Sequence, residues 1–156
     1  MFLSGKAEDA MLWWIEEPWL MGSHNPTDRE LAGMIESGVA TVISLLDETE
    51  QKPLYGIGHF VEGTCVRYSI PIPDYGVPAP EQLSVFLEAV REGLEKGRVL
   101  VHCQGGSGRT GTLGALWLIS RGMTPEEAIS VVREGNPSAI ETADQEAFVL
   151  GPAGQS

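Results

Sequence analysis

Cys103 and Arg109 stand six positions apart, separated by Gln104, Gly105, Gly106, Ser107 and Gly108. His102 precedes the cysteine and Thr110 follows the arginine. A thiolate is a nucleophile, and a guanidinium presents a planar fork of donors that matches two oxygens of a carboxylate or phosphate at once. Glycines between them let the backbone curl until successive N–H groups converge on one point, which makes a nest for an anion. Together these residues describe attack by sulfur on a bound phosphate ester, with Gln104 to Gly108 cradling the oxygens and Arg109 clamping them. Thr110 can donate its hydroxyl to the sulfur, and His102 reads as an anchor of the loop rather than a base.

Such chemistry needs a particular frame. Val99-Leu100-Val101 is a short apolar run that predicts a buried strand, and the residues from about Thr110 to Arg121, stopped by Gly122, predict a helix. A loop between a strand end and a helix N-terminus carries N–H groups without intrahelical partners, and the helix dipole adds positive potential there. The nest, the dipole and Arg109 all favour the thiolate form of Cys103. An ordinary turn holding a small buried cysteine is the bland alternative.

The rest of the chain alternates in the same way. Thr27 and Glu30 have capping-box spacing before Leu31, Met34 and Ile35, and Gly38 ends that helix. Val39 to Leu46 and Thr64 to Ile70 read as strands, and Leu83, Phe86, Leu87, Val90 and Leu94 recur at helical spacing up to Gly97. Thr124 caps a further helix and Thr142 starts the last one. This order predicts an α/β fold with a mainly parallel, twisted central sheet flanked by helices on both faces, functional loops lying at the strand ends. Residues 1–150 are expected to form a single catalytic domain, with 151–156 a flexible tail.

Expulsion of an alkoxide or phenoxide is speeded by a positioned carboxylic acid. Asp74 lies on the proline-rich stretch from Pro71 to Pro80, which is too rigid for helix or central strand. It is the candidate acid; a turn-forming aspartate before Tyr75-Gly76 is the alternative.

The segment His102-Cys103-x-x-Gly106-x-Gly108-Arg109-Thr110, together with the upstream Pro73-Asp74, resembles the protein tyrosine phosphatase superfamily. The similarity extends over roughly Val39 to Val149, and within the superfamily the chain is similar to small dual-specificity members of the compact archaeal and VHZ-like kind. The resemblance implies the phosphatase fold, hydrolysis through a phosphocysteine without metal or cofactor, and Asp74 as general acid. It also implies that Gln145, in Ile140-Glu141-Thr142-Ala143-Asp144-Gln145, orients the hydrolytic water. Thr142 and Gln145 equally have capping-box spacing, so a structural role for Gln145 stands beside the catalytic one. Asn136-Pro137-Ser138 replaces the Arg-Pro-Gly frequent in such relatives, which removes a basic substrate contact there.

Composition narrows the partners. With 22 acidic against 10 basic residues the net charge is −12, a field that repels nucleic acid and anionic lipid. The expected substrate is therefore a phosphorylated protein or peptide, and the chain is expected to be a monomer. Phosphoinositides, nucleotides and RNA 5′ ends are disfavoured alternatives, as are a phosphate-binding module without turnover and a sulfur carrier. Two cysteines, Cys65 and Cys103, with no metal-ligand spacing among Cys and His, point to free thiols and a cytoplasmic setting. No apolar run reaches the roughly 18 residues of a membrane helix. Cys65 reads as packing. Trp13, Trp14 and Trp19 read as pins of a first strand or as a substrate wall, and His24 and His59 as surface or cap residues.

Overall fold

The computed structural model describes residues 12–52, 55–60 and 64–151. Among these residues five strands form one sheet: β1 (Leu12–Glu16), β2 (Leu20–Ser23), β3 (Val39–Ser44), β4 (Val66–Ser69) and β5 (Arg98–His102), in the spatial order β1-β2-β5-β3-β4. β2, β5, β3 and β4 run parallel, and β1 alone is antiparallel, turned back from β2 through Glu17-Pro18-Trp19. The helices are α1 (Asp28–Glu36), α2 (Pro80–Leu94), α3 (Gly108–Ser120), α4 (Pro125–Gly135) and α5 (Ala143–Leu150).

Side chains alternate across a strand, so the central β5 feeds two cores. Val99 and Val101 join Phe86, Leu113, Leu116, Trp117 and Val132 beneath α2 to α5. Leu100 points the other way, into a smaller core with Leu31 and Met34 of α1 and with Met21, Tyr55 and Cys65. Among the described residues, helices thus cover both faces, four on one side and one on the other.

Helix starts follow the side-chain chemistry read from the sequence. Thr27, Thr124 and Thr142 each accept from the backbone N–H three residues on, and Glu30, Glu127 and Gln145 accept in return from the cap N–H. Boundaries shift slightly from expectation: β3 stops at Ser44, β4 covers only Val66–Ser69, and α3 starts two residues earlier, at Gly108. α3 is buried from Gly108 to Leu118, which makes it the central post of the larger core. The hairpin of β1 and β2 is an addition to the elements read from the sequence. Trp13, 3% exposed, does pin β1 to the core, whereas Trp19 is exposed.

The tail expected at 151–156 lies outside the described residues except for Gly151, which closes α5 by donating to the Ala147 carbonyl. No helix among the described residues is long and apolar enough to cross a membrane.

Candidate active site

β5 ends at His102 and α3 begins at Gly108, so Cys103 to Ser107 form the connection at the carboxyl end of the parallel strands. A loop that offers N–H groups to an anion must send carbonyls elsewhere, and here two of them are held from outside. Asn25 N–H donates to the Gln104 carbonyl at 3.0 Å, and the Trp13 indole N–H to the Gly106 carbonyl at 2.9 Å. The Asn136 amide supports the same carbonyl at 3.3 Å and reaches Ser107 Oγ at 3.1 Å. Gly106 adopts φ +84°, and a Cβ there would lie 2.5 Å from the His24 nitrogen, so glycine is required twice over. In return its N–H donates to Cys103 Sγ at 3.2 Å. Cys103 itself is 3% exposed.

Arg109, the second residue of α3, is equally buried, at 3%. Its two terminal nitrogens donate to the Glu50 carboxylate at 3.0 and 2.7 Å, in the paired geometry that guanidinium and carboxylate favour. Nη1 also donates to the Ile72 carbonyl at 2.9 Å, and Nη2 lies 3.4 Å from Asp74 Oδ1. Burial works against the guanidinium charge. The hydrogen bonds it donates to Glu50 and the charges of Cys103, Glu50 and Asp74 outweigh it and hold the Arg109 pKa above its ordinary value. The same hydrogen bond draws Glu50 below the usual carboxylate range.

Asp74 reaches this point because the chain leaving β4 is fixed at both ends. Ile72 N–H donates to the Leu45 carbonyl, Gly76 N–H closes a turn on the Pro73 carbonyl, and Gln145 Nε2 donates to the Gly76 carbonyl at 3.1 Å. Tyr75, at φ +63° and 59% exposed, stands outward beside it. Asp74, Tyr75 and Glu141 close a pocket of about 240 Å³ whose other walls are Cys103, Gln104, Gly105, Ser107, Gly108 and Arg109.

The residues singled out in the sequence therefore converge, with differences in detail. Gly106 lies behind the pocket wall. Thr110 Oγ1 is buried without a hydrogen-bond partner, so the expected bond to sulfur is not made in this arrangement. Gln145 is fully buried and its side chain is engaged: Oε1 accepts from the N–H groups of Glu141 and Thr142, and Nε2 holds the Asp74 loop. His102 anchors the loop from below. Its Nε2 meets Tyr55 Oη at 2.7 Å and its Nδ1 the Cys103 carbonyl at 3.4 Å, and burial drives its pKa down to about 3, which keeps the ring neutral. Arg67 donates to Tyr55 Oη and to Gln51, and Gln51 donates to Asn25, so a polar network backs the loop. Cys65 lies in the core on the opposite face of the sheet from Cys103, and desolvation pushes its thiol pKa up to about 11. No cluster of three or more metal-binding side chains occurs among the described residues.

Glu50, Tyr75, Glu141 and the Tyr55-Arg67-Gln51 network were not among the candidates. Glu50 ends the run Asp47-Glu48-Thr49-Glu50, which as sequence is indistinguishable from a solvated acidic turn.

A buried cysteine on a strand-to-helix loop, an arginine at the loop's end and an aspartate opposite are the arrangement of a phosphatase domain of the dual-specificity and protein tyrosine phosphatase type. The chain belongs to that family: the model for the Swiss Army Knife protein, DSP-PTPase phosphatase domain, matches residues 9–149. Among relatives, an uncharacterized protein of Methanocaldococcus jannaschii, MJECL20, is 41% identical over 83 residues, 52% of this chain and 55% of that protein. The mouse protein tyrosine phosphatase domain-containing protein 1 is 36% identical over 87 residues, 55% of this chain and 12% of its own length. The match thus spans about half of the archaeal relative and a small part of the mouse one. Among solved structures, Tk-PTP in the active form superposes with a TM-score of 0.79 at 33% identity, covering 90% of this chain and 95% of the other. PTPMT1 in complex with PI(5)P shares the fold, with a TM-score of 0.77 at 20% identity over 90% of this chain and 92% of that one.

Proposed function

We propose that this chain is a metal-independent phosphatase that hydrolyses phosphotyrosine, and also phosphoserine and phosphothreonine, in proteins through a phosphocysteine intermediate. The observation that carries the reading is the convergence of Cys103, Arg109 and Asp74 on one 240 Å³ pocket. In the first step Cys103 sulfur bonds to phosphorus while the ester P–O bond breaks, and Asp74 gives its proton to the leaving oxygen. Arg109 and the loop N–H groups hold the three phosphoryl oxygens as charge spreads over them. In the second step water attacks the phosphocysteine, Asp74 takes the water proton, and the thiolate leaves with the S–P electron pair. Thr110 Oγ1, unpartnered and beside the loop, is the donor available to the sulfur when it carries that charge. Gln145 is a positioning residue here, since its amide ties the Asp74 loop to the start of α5. The two free thiols fit a cytoplasmic setting.

The test is hydrolysis of p-nitrophenyl phosphate in EDTA by the intact protein and by Cys103→Ser, with phosphotyrosine and phosphoserine peptides in parallel. Turnover that survives EDTA and vanishes in Cys103→Ser is expected. Turnover retained by Cys103→Ser would remove the cysteine mechanism, and absence of turnover by the intact protein between pH 5 and 8 would leave a phosphate-binding module.

A further inference from the structure

Beside Asp74, the pocket wall carries a second carboxylate, Glu141, which has no part in the proposed phosphoryl-transfer steps. Its side chain has no hydrogen bond or ion pair among the described residues. It nevertheless sits against the anion loop, so close that a Cβ on Gly108 would lie 2.6 Å from Glu141 Oε1. An unpaired carboxylate beside a phosphate cradle weakens anion binding, which calls for a compensating use.

Its position is also built rather than incidental. Ile140, immediately before it, adopts φ +63°, a left-handed backbone that a β-branched side chain resists. That conformation is held by four hydrogen bonds. Ile140 N–H donates to the Ser107 carbonyl at 3.2 Å, Arg133 donates to the carbonyls of Ala139 and Ile140, and Glu141 N–H donates to Gln145 Oε1. The strained residue thus fixes Glu141 to the loop that binds the phosphate. Arg109 is the only cation lining the pocket among the described residues, and it already faces Glu50 and Asp74.

We propose that Glu141 determines specificity, selecting phosphorylated residues that have lysine or arginine beside them in the peptide and rejecting substrates with a second phosphate next to the reacting one. The proposal rests on the reading of this pocket as the binding site for a phosphate monoester. A basic side chain next to the phosphorylated residue would pair with the free carboxylate. A second phosphate would meet it at the same place, with no cation to offset the repulsion.

The experiment compares two phosphotyrosine peptides of one sequence, with lysine or glutamate on both sides of the phosphotyrosine. Binding to Cys103→Ser is read by fluorescence anisotropy and hydrolysis by the intact protein, each with Glu141 native, Glu141→Gln and Glu141→Lys. One charge pair in partly screened water predicts a preference for the lysine peptide of about three- to tenfold from Glu141, shrinking at high salt. The ratio should fall by that factor in Glu141→Gln and fall further, toward the glutamate peptide, in Glu141→Lys. The net charge of the rest of the molecule favours the lysine peptide in every variant, so an unchanged ratio across the three would overturn the proposal. Binding that tracks Glu141 without turnover would instead remove the hydrolase reading and keep this one. Absence of both binding and turnover would remove both.

Discussion

Arg109 gives up nearly all its surface to the protein, and Glu50 is what pairs its charge and fixes its plane. A guanidinium buried against the sheet edge with carbonyls alone would be free to rotate away from the Cys103 pocket, whereas two parallel bonds to one carboxylate fix its plane. Glu50→Gln keeps the shape and removes the charge. It is expected to lower kcat/KM on p-nitrophenyl phosphate by about ten- to a hundredfold, the order of one charge-assisted bond, with KM rising as the clamp loosens. Steady-state kinetics check this, and a loss below threefold would show that Ile72 and Asp74 hold Arg109 well enough alone. At this scale Cys103, Arg109 and Asp74 could be singled out as neighbours because residue type and spacing mark them, and they do line one pocket. Glu50 was not, because its partner is 59 positions away and only the fold closes that distance.

Among elements, the connection from β5 to α3 shows which glycines the loop requires. Gly106 combines a positive φ with neighbouring backbone where a Cβ would stand, whereas nothing lies within 4 Å of a Cβ at Gly105. Gly106→Ala is therefore expected to cost roughly 2–4 kcal/mol of stability, from strain and steric displacement, and Gly105→Ala under about 0.5 kcal/mol. Urea denaturation of the two variants measures the difference, and equal costs would mean that the loop moves freely off His24. The helices were read well where a stripe of apolar residues or a threonine cap marked them, as in α1, α2 and α4. The β1–β2 hairpin was not, since Leu12–Glu16 and Leu20–Ser23 show no apolar–polar alternation and Glu17-Pro18-Trp19 carries none of the usual hairpin turn pairs. Its importance lies in what it carries: Trp13 on β1 holds the Gly106 carbonyl, and Asn25 just past β2 holds that of Gln104.

Across the whole molecule, the buried network beneath the loop couples the site to stability. His102 is neutral in the fold with a pKa near 3, against about 6.5 when exposed in the unfolded chain. Between those values the unfolded chain binds a proton that the folded chain does not, so His102 makes stability fall as pH drops from about 6.5 toward 3. Glu50, drawn down by Arg109, adds to the loss at the acid end, since its stabilisation is present above the ordinary carboxylate pKa and disappears as pH falls through the lowered one. Replacing the ring in His102→Gln should flatten the decline in unfolding free energy between pH 7 and 4, even though it lowers stability at pH 7 by loosening the contact with Tyr55. Denaturant melts at a series of pH values measure the slope, and equal slopes would show that His102 takes up its proton in the folded state.

Residue order alone singled out Cys103, Arg109 and Asp74 as the candidates for nucleophile, clamp and acid, along with the alternation of strands and helices that brings them together at one sheet edge. Each of those is local: a spacing of six along one loop, a threonine three residues ahead of its partner, an apolar run between glycines. Tertiary structure decided the rest. Glu50 facing Arg109 and Gln145 spent on the Gly76 carbonyl are contacts between residues 59 and 69 positions apart, and Glu141, on the same pocket wall, has no side-chain partner among the described residues. Hydrogen bonds and charge pairs of that kind depend on ångström-scale approach, which residue type cannot specify until the sheet and its helices have packed.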